Sequence, residues 1–426
     1  MSKYSKDTTN KSFCILPFVH THLNTEGDVY PCCVGWNGER SSKIGDLKDA
    51  SLEELFNSDA MKQLRLDMVN GIRRPEFCDP CYKREDSGFH SARHGSNDDY
   101  LDVEEEIVAS MQPDGYMEPI IRSWDIRFSN LCNLKCRSCG DIYSSTWGAE
   151  SEKFGDHSVG EIKSIPEGHP DPLEKQYGNV DKIYFAGGEP LIMPEHFRTL
   201  DKLVKSGQSK KIKLVYNTNM TKLNYNRHDL IEYWKEFKEV VLGMSIDSYG
   251  ERAEYVRNGV KWSTIEKNIK KISETTKNIP HISYHFSVTI SLMNVYTLTD
   301  LHRYLYDLGV LPDVGAFLLN ILLGPSYYEI KNLPTDIKEK IKTKIKNHLE
   351  WMDTIQKGHD HAHCMKSYES LFEYLDYNQN QDDINSFIRE TKKLDERRSQ
   401  SFPETFPEYS DWWKEINQNI IDVKNI

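Results

Sequence analysis

Residues 129–140 read SNLCNLKCRSCG and place three cysteines, Cys132, Cys136 and Cys139, three and then two residues apart. Thiols at this spacing converge on one metal site only if the loop wraps around it, and three ligands leave a coordination position open. An open position is where chemistry takes place, whereas four thiolates close a site for structure or electron transfer. The triplet fits a 4Fe–4S cluster whose unligated iron takes a substrate or cofactor. It also fits a structural zinc loop completed by a distant histidine.

Outward from this loop, strand-like apolar runs at 121–129, 182–186, 212–217, 240–246, 282–290 and 315–323 alternate with helical patterns at 195–205, 229–237, 263–273 and 297–308. Six such βα units predict an α/β fold, a partial (β/α)6 TIM-like barrel over 120–325. Functional groups are then expected at the carboxyl ends of the strands. The second run ends in Gly187, Gly188, Glu189 and Pro190, where two glycines allow close backbone approach to a ligand and proline stops the strand. Taken alone, this is equally a tight turn. The third run ends in Asn217, Thr218 and Asn219, and the fourth in Ser245, Ile246 and Asp247, with Arg257 ten residues on. These short polar side chains and the arginine suit hydroxyl groups and a carboxylate, although strand and helix ends favour Asn, Ser and Asp for local reasons too.

A second group of cysteines lies near the start. Cys14 and Cys32, with Gly27 between them, are followed after a long excursion by Cys78 and Cys81. The pairs meet only if the chain folds back, which a hairpin and an amphipathic helix over 51–70 allow. Ser51 and Glu54 form a capping box at that helix's start, and Gly71 marks its end. Four thiolates suit a 4Fe–4S cluster or tetrahedral zinc. Cys33, adjacent to Cys32, takes no role, because neighbouring side chains rarely point at the same metal.

The 426 residues comprise 54 basic and 66 acidic side chains, a net charge of −12, with 38% hydrophobic and 28% charged residues. A packed core is affordable, and the acidic balance argues against nucleic acid as a partner. The chain shows neither a ~20-residue apolar span nor the apolar stretch of a signal peptide, so a cytoplasmic location is expected, with reduced thiols and no membrane partner. The domain plan is a small cysteine-rich α+β module at 1–90, a linker at 91–119, the barrel at 120–325 and a helical carboxyl-terminal region at 326–426. The stretch from His359 to Cys364 reads as an exposed loop, with metal binding as the alternative. No sequence feature names a catalytic residue.

The C-x3-C-x2-C loop resembles the hallmark of the radical SAM superfamily, and the Gly187–Pro190 tetrapeptide about fifty residues later resembles that superfamily's motif for the methionyl amine. The resemblance implies that Cys132, Cys136 and Cys139 hold a 4Fe–4S cluster and that S-adenosylmethionine chelates its fourth iron. It further implies cofactor contacts from Gly187, Gly188, Glu189 and Pro190 and from Asn219, Ser245, Asp247 and Arg257. Ser138 departs from the family pattern, in which a bulky residue precedes the last cysteine. Cys14, Cys32, Cys78 and Cys81 resemble the twitch module, the smaller relative of the SPASM domain, which binds an auxiliary 4Fe–4S cluster and usually follows the barrel. The implied activity is reductive cleavage of S-adenosylmethionine and abstraction of a substrate hydrogen atom, with an external reductant such as flavodoxin or ferredoxin. The implied substrate is a peptide, a protein or a small metabolite, with the auxiliary cluster as electron acceptor. The rival is a non-catalytic iron–sulfur or zinc protein on a degenerate barrel.

Overall fold

The structure is a computed structural model that describes residues 4–6, 10–35, 42–86, 91–165, 171–226, 228–322, 324–355, 358 and 360–423. It divides into two compact units. The first comprises Met1–Cys132, Asp141–Tyr216 and Tyr225–Val240, and the second Asn133–Gly140, Asn217–Asn224 and Val241–Ile426.

In the first unit the strands Ser123–Ile126, Lys182–Phe185 and Lys213–Thr218 run parallel, with Ile126 level with Phe185 and Phe185 level with Tyr216. Successive side chains along a strand alternate between faces. Phe185 and Tyr216 point to the side covered by the helix Pro194–Lys205, where the His196 ring stands edge-on to Phe185 and hydrogen-bonds the Tyr216 hydroxyl at 2.9 Å. Asp125, Tyr184 and Val215 share the intervening row and face the opposite way.

The amino-terminal segment is built directly onto this sheet. His20–Leu23 pairs in parallel with Ser123–Ile126 over four residues and forms an antiparallel hairpin with Asp28–Tyr30, which in turn pairs with Gly45–Asp46. Gly27 makes the hairpin turn at φ +93°. The capping box is present: the Ser51 hydroxyl accepts from the Glu54 amide and the Glu54 carboxylate accepts from the Ser51 amide at 2.8 Å.

The single helix expected over 51–70 is instead two, Leu52–Phe56 and Asp59–Val69. Asn57 ends the first, and Ser58 caps the second by accepting from the Met61 amide. The break frees the Phe56 carbonyl, which accepts a hydrogen bond from the fully buried Arg65 guanidinium at 2.5 Å; that guanidinium also donates to the Pro17 and Gly115 carbonyls. A buried arginine needs such partners, and a continuous helix would have consumed one of them. The segment 91–119, expected as a linker, contains the helices Ala92–Asp99 and Glu104–Ala109. The first of these fixes the backbone around Cys14, since Arg93 donates to the Phe13 carbonyl at 2.6 Å and the Asn97 carbonyl oxygen accepts from the Ile15 amide at 2.8 Å.

In the second unit the strand Glu239–Ser245, most of which lies there, stands next to Ile282–Ile290, which pairs in parallel with Phe317–Ile321. The three parallel strands of the first unit and these three correspond to the six strand runs read from the sequence, each alternating with a helix or turn in chain order. The carboxyl-terminal region is helical, with Thr335–Asp353, His361–Asp376, Gln381–Arg398 and Ser410–Val423. The stretch expected as an exposed loop at 359–364 is the first turn of the second of these helices from His361 on. His361 and Cys364 are buried there, His361 against the Met352 carbonyl at 3.0 Å and the Cys364 thiol against that of Phe317 at 3.4 Å. Both polar groups are satisfied by backbone, which removes the reason to assign them a metal. His359 lies outside the described residues.

Candidate active site

The approach to the cysteine loop is fixed by Asn130, which is fully buried. Its side-chain amide donates to the carbonyls of Asp141 and Gly160, both at 2.7 Å, and its carbonyl oxygen accepts from the Ile162 amide at 2.8 Å. Ser145, opening the helix Ser145–Lys153, accepts from the Cys132 amide at 3.2 Å. The Gly187–Glu189 backbone is stitched to the same stretch, with the Gly188 amide donating to the Ser129 carbonyl at 3.2 Å and the Glu189 amide to the Leu131 carbonyl at 2.8 Å. No side chain fits between them: a Cβ on Gly188 would lie 2.2 Å from the Leu131 oxygen, and Gly187 adopts φ +110°. The paired glycines therefore serve an approach of backbone to backbone that sets the conformation entering Cys132. Glu189 is 1% exposed, and its carboxylate accepts from the Leu191 amide at 3.0 Å where the Pro190–Ile192 turn begins.

Beyond Cys132 the loop is held by the strand mouths of the second unit. Lys135–Cys136 pairs antiparallel with Arg257–Asn258, placing Arg257 opposite Cys136. The Arg257 guanidinium lies 4.0 Å from the Cys136 sulfur and forms a 2.8 Å ion pair with Asp247. Asp247 is 2% exposed and also accepts from the Thr289 amide at 2.8 Å. Asn219 donates to the Asn133 side chain at 3.1 Å and accepts from Thr221. Asn219, Ser245, Asp247 and Arg257 line one small hollow together with Trp262 and Ile265. The structure thus brings together the four strand-mouth residues named from the sequence.

The electrostatics suit a metal-bound thiolate. The Cys136 thiol titrates below its usual value because the Cys139 side chain hydrogen-bonds to it and Arg257 lies beside it, two effects that outweigh burial. Cys132 and Cys136 are buried and Cys139 is exposed.

In the amino-terminal segment the hairpin and the helix Pro75–Asp86 bring Cys14, Cys32, Cys78 and Cys81 into mutual electrostatic range. Burial pushes the Cys32 thiol up to about 11 and Cys78 up to about 12, and burial together with the neighbouring thiols raises Cys14 well above its usual value. Four sulfurs, those of Cys14 and Cys81 on buried residues and those of Cys32 and Cys78 on half-buried ones, that resist ionisation alone are the donor set a positively charged centre stabilises as thiolates. Among the described residues no three His, Cys, Asp or Glu side chains stand at the spacing of a single-ion site. Four thiol donors are soft enough for an iron–sulfur cluster and for tetrahedral zinc alike. Burial, with the Asp125 carboxylate and Cys32 nearby, raises the Cys33 thiol well above its usual value.

Three functional candidates escaped sequence reasoning. On the sheet face turned away from the covering helix, His22 pairs with Asp125 at 3.2 Å, the two side chains being 0% and 2% exposed, and Arg127 lies 3.6 Å from the same carboxylate. Burial opposes the charge on Asp125, but His22 and Arg127 outweigh it and hold the carboxyl well below the usual carboxylate range. Neither oxygen of Asp125 and neither ring nitrogen of His22 has a well-formed hydrogen bond. The signal was present in the alternation of Ser123, Asp125, Arg127 and Ser129 with Trp124, Ile126 and Phe128, which puts polar groups along one buried face.

The model of the radical SAM superfamily matches residues 126–305, and that of the SPASM domain, an iron–sulfur cluster-binding domain, matches residues 14–82. Among solved structures the chain is similar to native anSMEcpe with bound AdoMet, at 20% identity over 54% of this chain and 60% of that one, with a TM-score of 0.37. It is also similar to native anSMEcpe with bound AdoMet and Cp18Cys peptide, at 20% identity over 54% and 59% of the two chains, TM-score 0.35. The likeness therefore spans about 60% of the length of these structures. No curated protein matches the chain significantly. Among the described residues no helix is long and apolar enough to cross a membrane.

Proposed function

With a radical SAM domain and an amino-terminal SPASM iron–sulfur cluster-binding domain, the chain belongs to the radical SAM superfamily, and we propose that it oxidises a peptide or protein substrate by hydrogen-atom abstraction. The groups bound by these domains supply the hard chemistry, namely reductive cleavage of S-adenosylmethionine to a 5'-deoxyadenosyl radical and a second centre able to take up an electron. In this reading Cys132, Cys136 and Cys139 hold the first cluster and Cys14, Cys32, Cys78 and Cys81 hold the second. An external low-potential carrier such as flavodoxin or ferredoxin provides the electron.

The protein's own work is positioning. Gly187 and Gly188 clamp the entry to Cys132, and Glu189 and Pro190 close the turn on which the methionyl amine would be held. Asn219 and Ser245 offer hydrogen bonds for ribose hydroxyls, while Asp247 holds Arg257 oriented beside Cys136 so that its cation can meet a carboxylate. His22, Asp125 and Arg127 supply acceptors and donors on the sheet face turned away from the Pro194–Lys205 helix, suited to the paired donor and acceptor of a peptide amide.

The observation that carries this reading is the backbone clamp of Gly188 on Leu131 immediately before a three-thiol loop with a cation against its second sulfur. The test is anaerobic incubation of reconstituted protein with dithionite and S-adenosylmethionine. The expected products are 5'-deoxyadenosine and methionine, both lost in Cys132→Ala. Their absence from wild-type protein with both clusters loaded would overturn the assignment.

A further inference from the structure

The radical SAM match ends at residue 305, yet the cysteine loop is also gripped from nearly a hundred residues farther on. Arg137, between Cys136 and Cys139, is 1% exposed at its side chain, and its Nη2 pairs with Asp395 and donates to the Gln400 side-chain oxygen at 3.0 Å. Its guanidinium lies 3.7 Å above the Tyr255 ring, and the Tyr255 hydroxyl donates to the same Asp395 oxygen at 2.8 Å. Two residues before Arg137, the Lys135 carbonyl accepts from Arg398 Nη1 at 2.9 Å. Asp395, Arg398 and Gln400 lie on the last turn of the helix Gln381–Arg398 and the bend after it, where Ser399 takes φ +52° and the Phe402 amide donates to the second Asp395 oxygen at 2.7 Å.

A buried ion pair adds little net stability, because desolvation offsets attraction; its distinct contribution is a fixed geometry. Here every member of the network is tied either to the stretch Lys135–Arg137 or to the turn that reaches it. Outer partners of metal ligands orient those ligands and tune the metal. We propose that Asp395, Arg398 and Gln400 are positioning residues for the cluster held by Cys132, Cys136 and Cys139. In this arrangement the carboxyl-terminal turn sets the loop's conformation, and the Arg398 cation, bonded next to Cys136, favours the reduced cluster. The linkage is reciprocal: a loaded loop holds the turn, and an empty one loosens it. This inference rests on the proposed assignment of the cluster to the three-cysteine loop.

The test uses full-length, doubly reconstituted protein and the variants Asp395→Asn, Arg398→Gln, Arg398→Lys and Glu408→Gln. The last removes the partly buried pair of Glu408 with Arg252, which among the described residues has no bond to the loop, and serves as the control for general destabilisation. The readouts are the chelator-driven decay of the EPR signal that responds to S-adenosylmethionine, and the midpoint potential of that signal. The expected results are about tenfold faster decay in Asp395→Asn and a more negative potential in Arg398→Gln that Arg398→Lys restores, with both quantities at wild-type values in Glu408→Gln. Wild-type decay and potential in the first two variants, or equal effects in Glu408→Gln, would overturn the inference. A wild-type protein lacking the responsive signal would instead overturn the cluster assignment itself.

Discussion

Replacing Gly188 with alanine puts the tightest approach in the site to the test. The added Cβ would sit 2.2 Å from the Leu131 carbonyl oxygen and 2.7 Å from the carbons of Asn130 and Leu131, all backbone atoms that no side-chain rotation can move. Ordinary contact begins well beyond 3 Å, so one strand of the clamp must shift by about 1 Å, at an overpacking cost of roughly 1–3 kcal/mol. The displaced segment leads straight into Cys132, and a 1 Å misplacement near reacting groups costs on the order of 10²-fold in rate. The predicted outcome is folded protein that still binds iron at the amino-terminal cysteines but forms 5'-deoxyadenosine about a hundredfold more slowly, measured by chromatography after dithionite reduction. Gly178→Ala is the control, since a Cβ there meets nothing within 4 Å. Wild-type cleavage by Gly188→Ala would refute the view that the paired glycines position the loop.

Replacing Cys78 with alanine should spare cofactor cleavage but stop substrate turnover, whereas Cys132→Ala should abolish both; normal turnover in Cys78→Ala would exclude an electron-accepting role for the four-cysteine site. The buried imidazoles of His20, His196 and His302 titrate near 3 and that of His348 near 2, chiefly through desolvation. Each is neutral when folded, but the unfolded chain takes up its proton below about pH 6.5, so stability present above that pH is lost as pH falls, by about 1.4 kcal/mol per unit per histidine. Urea midpoints should drop between pH 7 and pH 5, less steeply in His302→Gln, and equal slopes for the two proteins would contradict the assignment. Asp125→Asn should lower the thermal midpoint by several degrees, because it leaves the Arg127 guanidinium without its counter-ion and the buried His22 ring without its carboxylate partner, a loss of ~3–5 kcal/mol. An unchanged melting curve would show that the pair is not buried as described.

The barrel strands were legible because each is a short apolar run ended by polar or glycine residues, and the Ser51–Glu54 cap because its pattern is local. What escaped depends on partners that the local pattern does not name. Asn57 and Ser58 fit a helical period, and only the demand of Arg65 for the Phe56 carbonyl explains why the helix breaks there. His20–Leu23 reads as a polar stretch, and its pairing with Ser123–Ile126 spans a hundred residues. That pairing also explains how a cysteine module ahead of the barrel can be continuous with its first strand. In the site, the thiols and glycines announced themselves by spacing. Asn130, Asp125 and Asp395 carry no motif, and their importance follows from burial and from the backbone or charged groups they satisfy.

Electron–nuclear double resonance on the reduced, anaerobic protein with S-adenosylmethionine labelled by 17O in its carboxylate and 15N in its amine addresses the open iron directly. Strong hyperfine coupling from both labels, absent in Cys136→Ala, is the predicted result. A fully loaded cluster that couples to neither label would mean that a protein side chain occupies the fourth iron, and the catalytic account would fail.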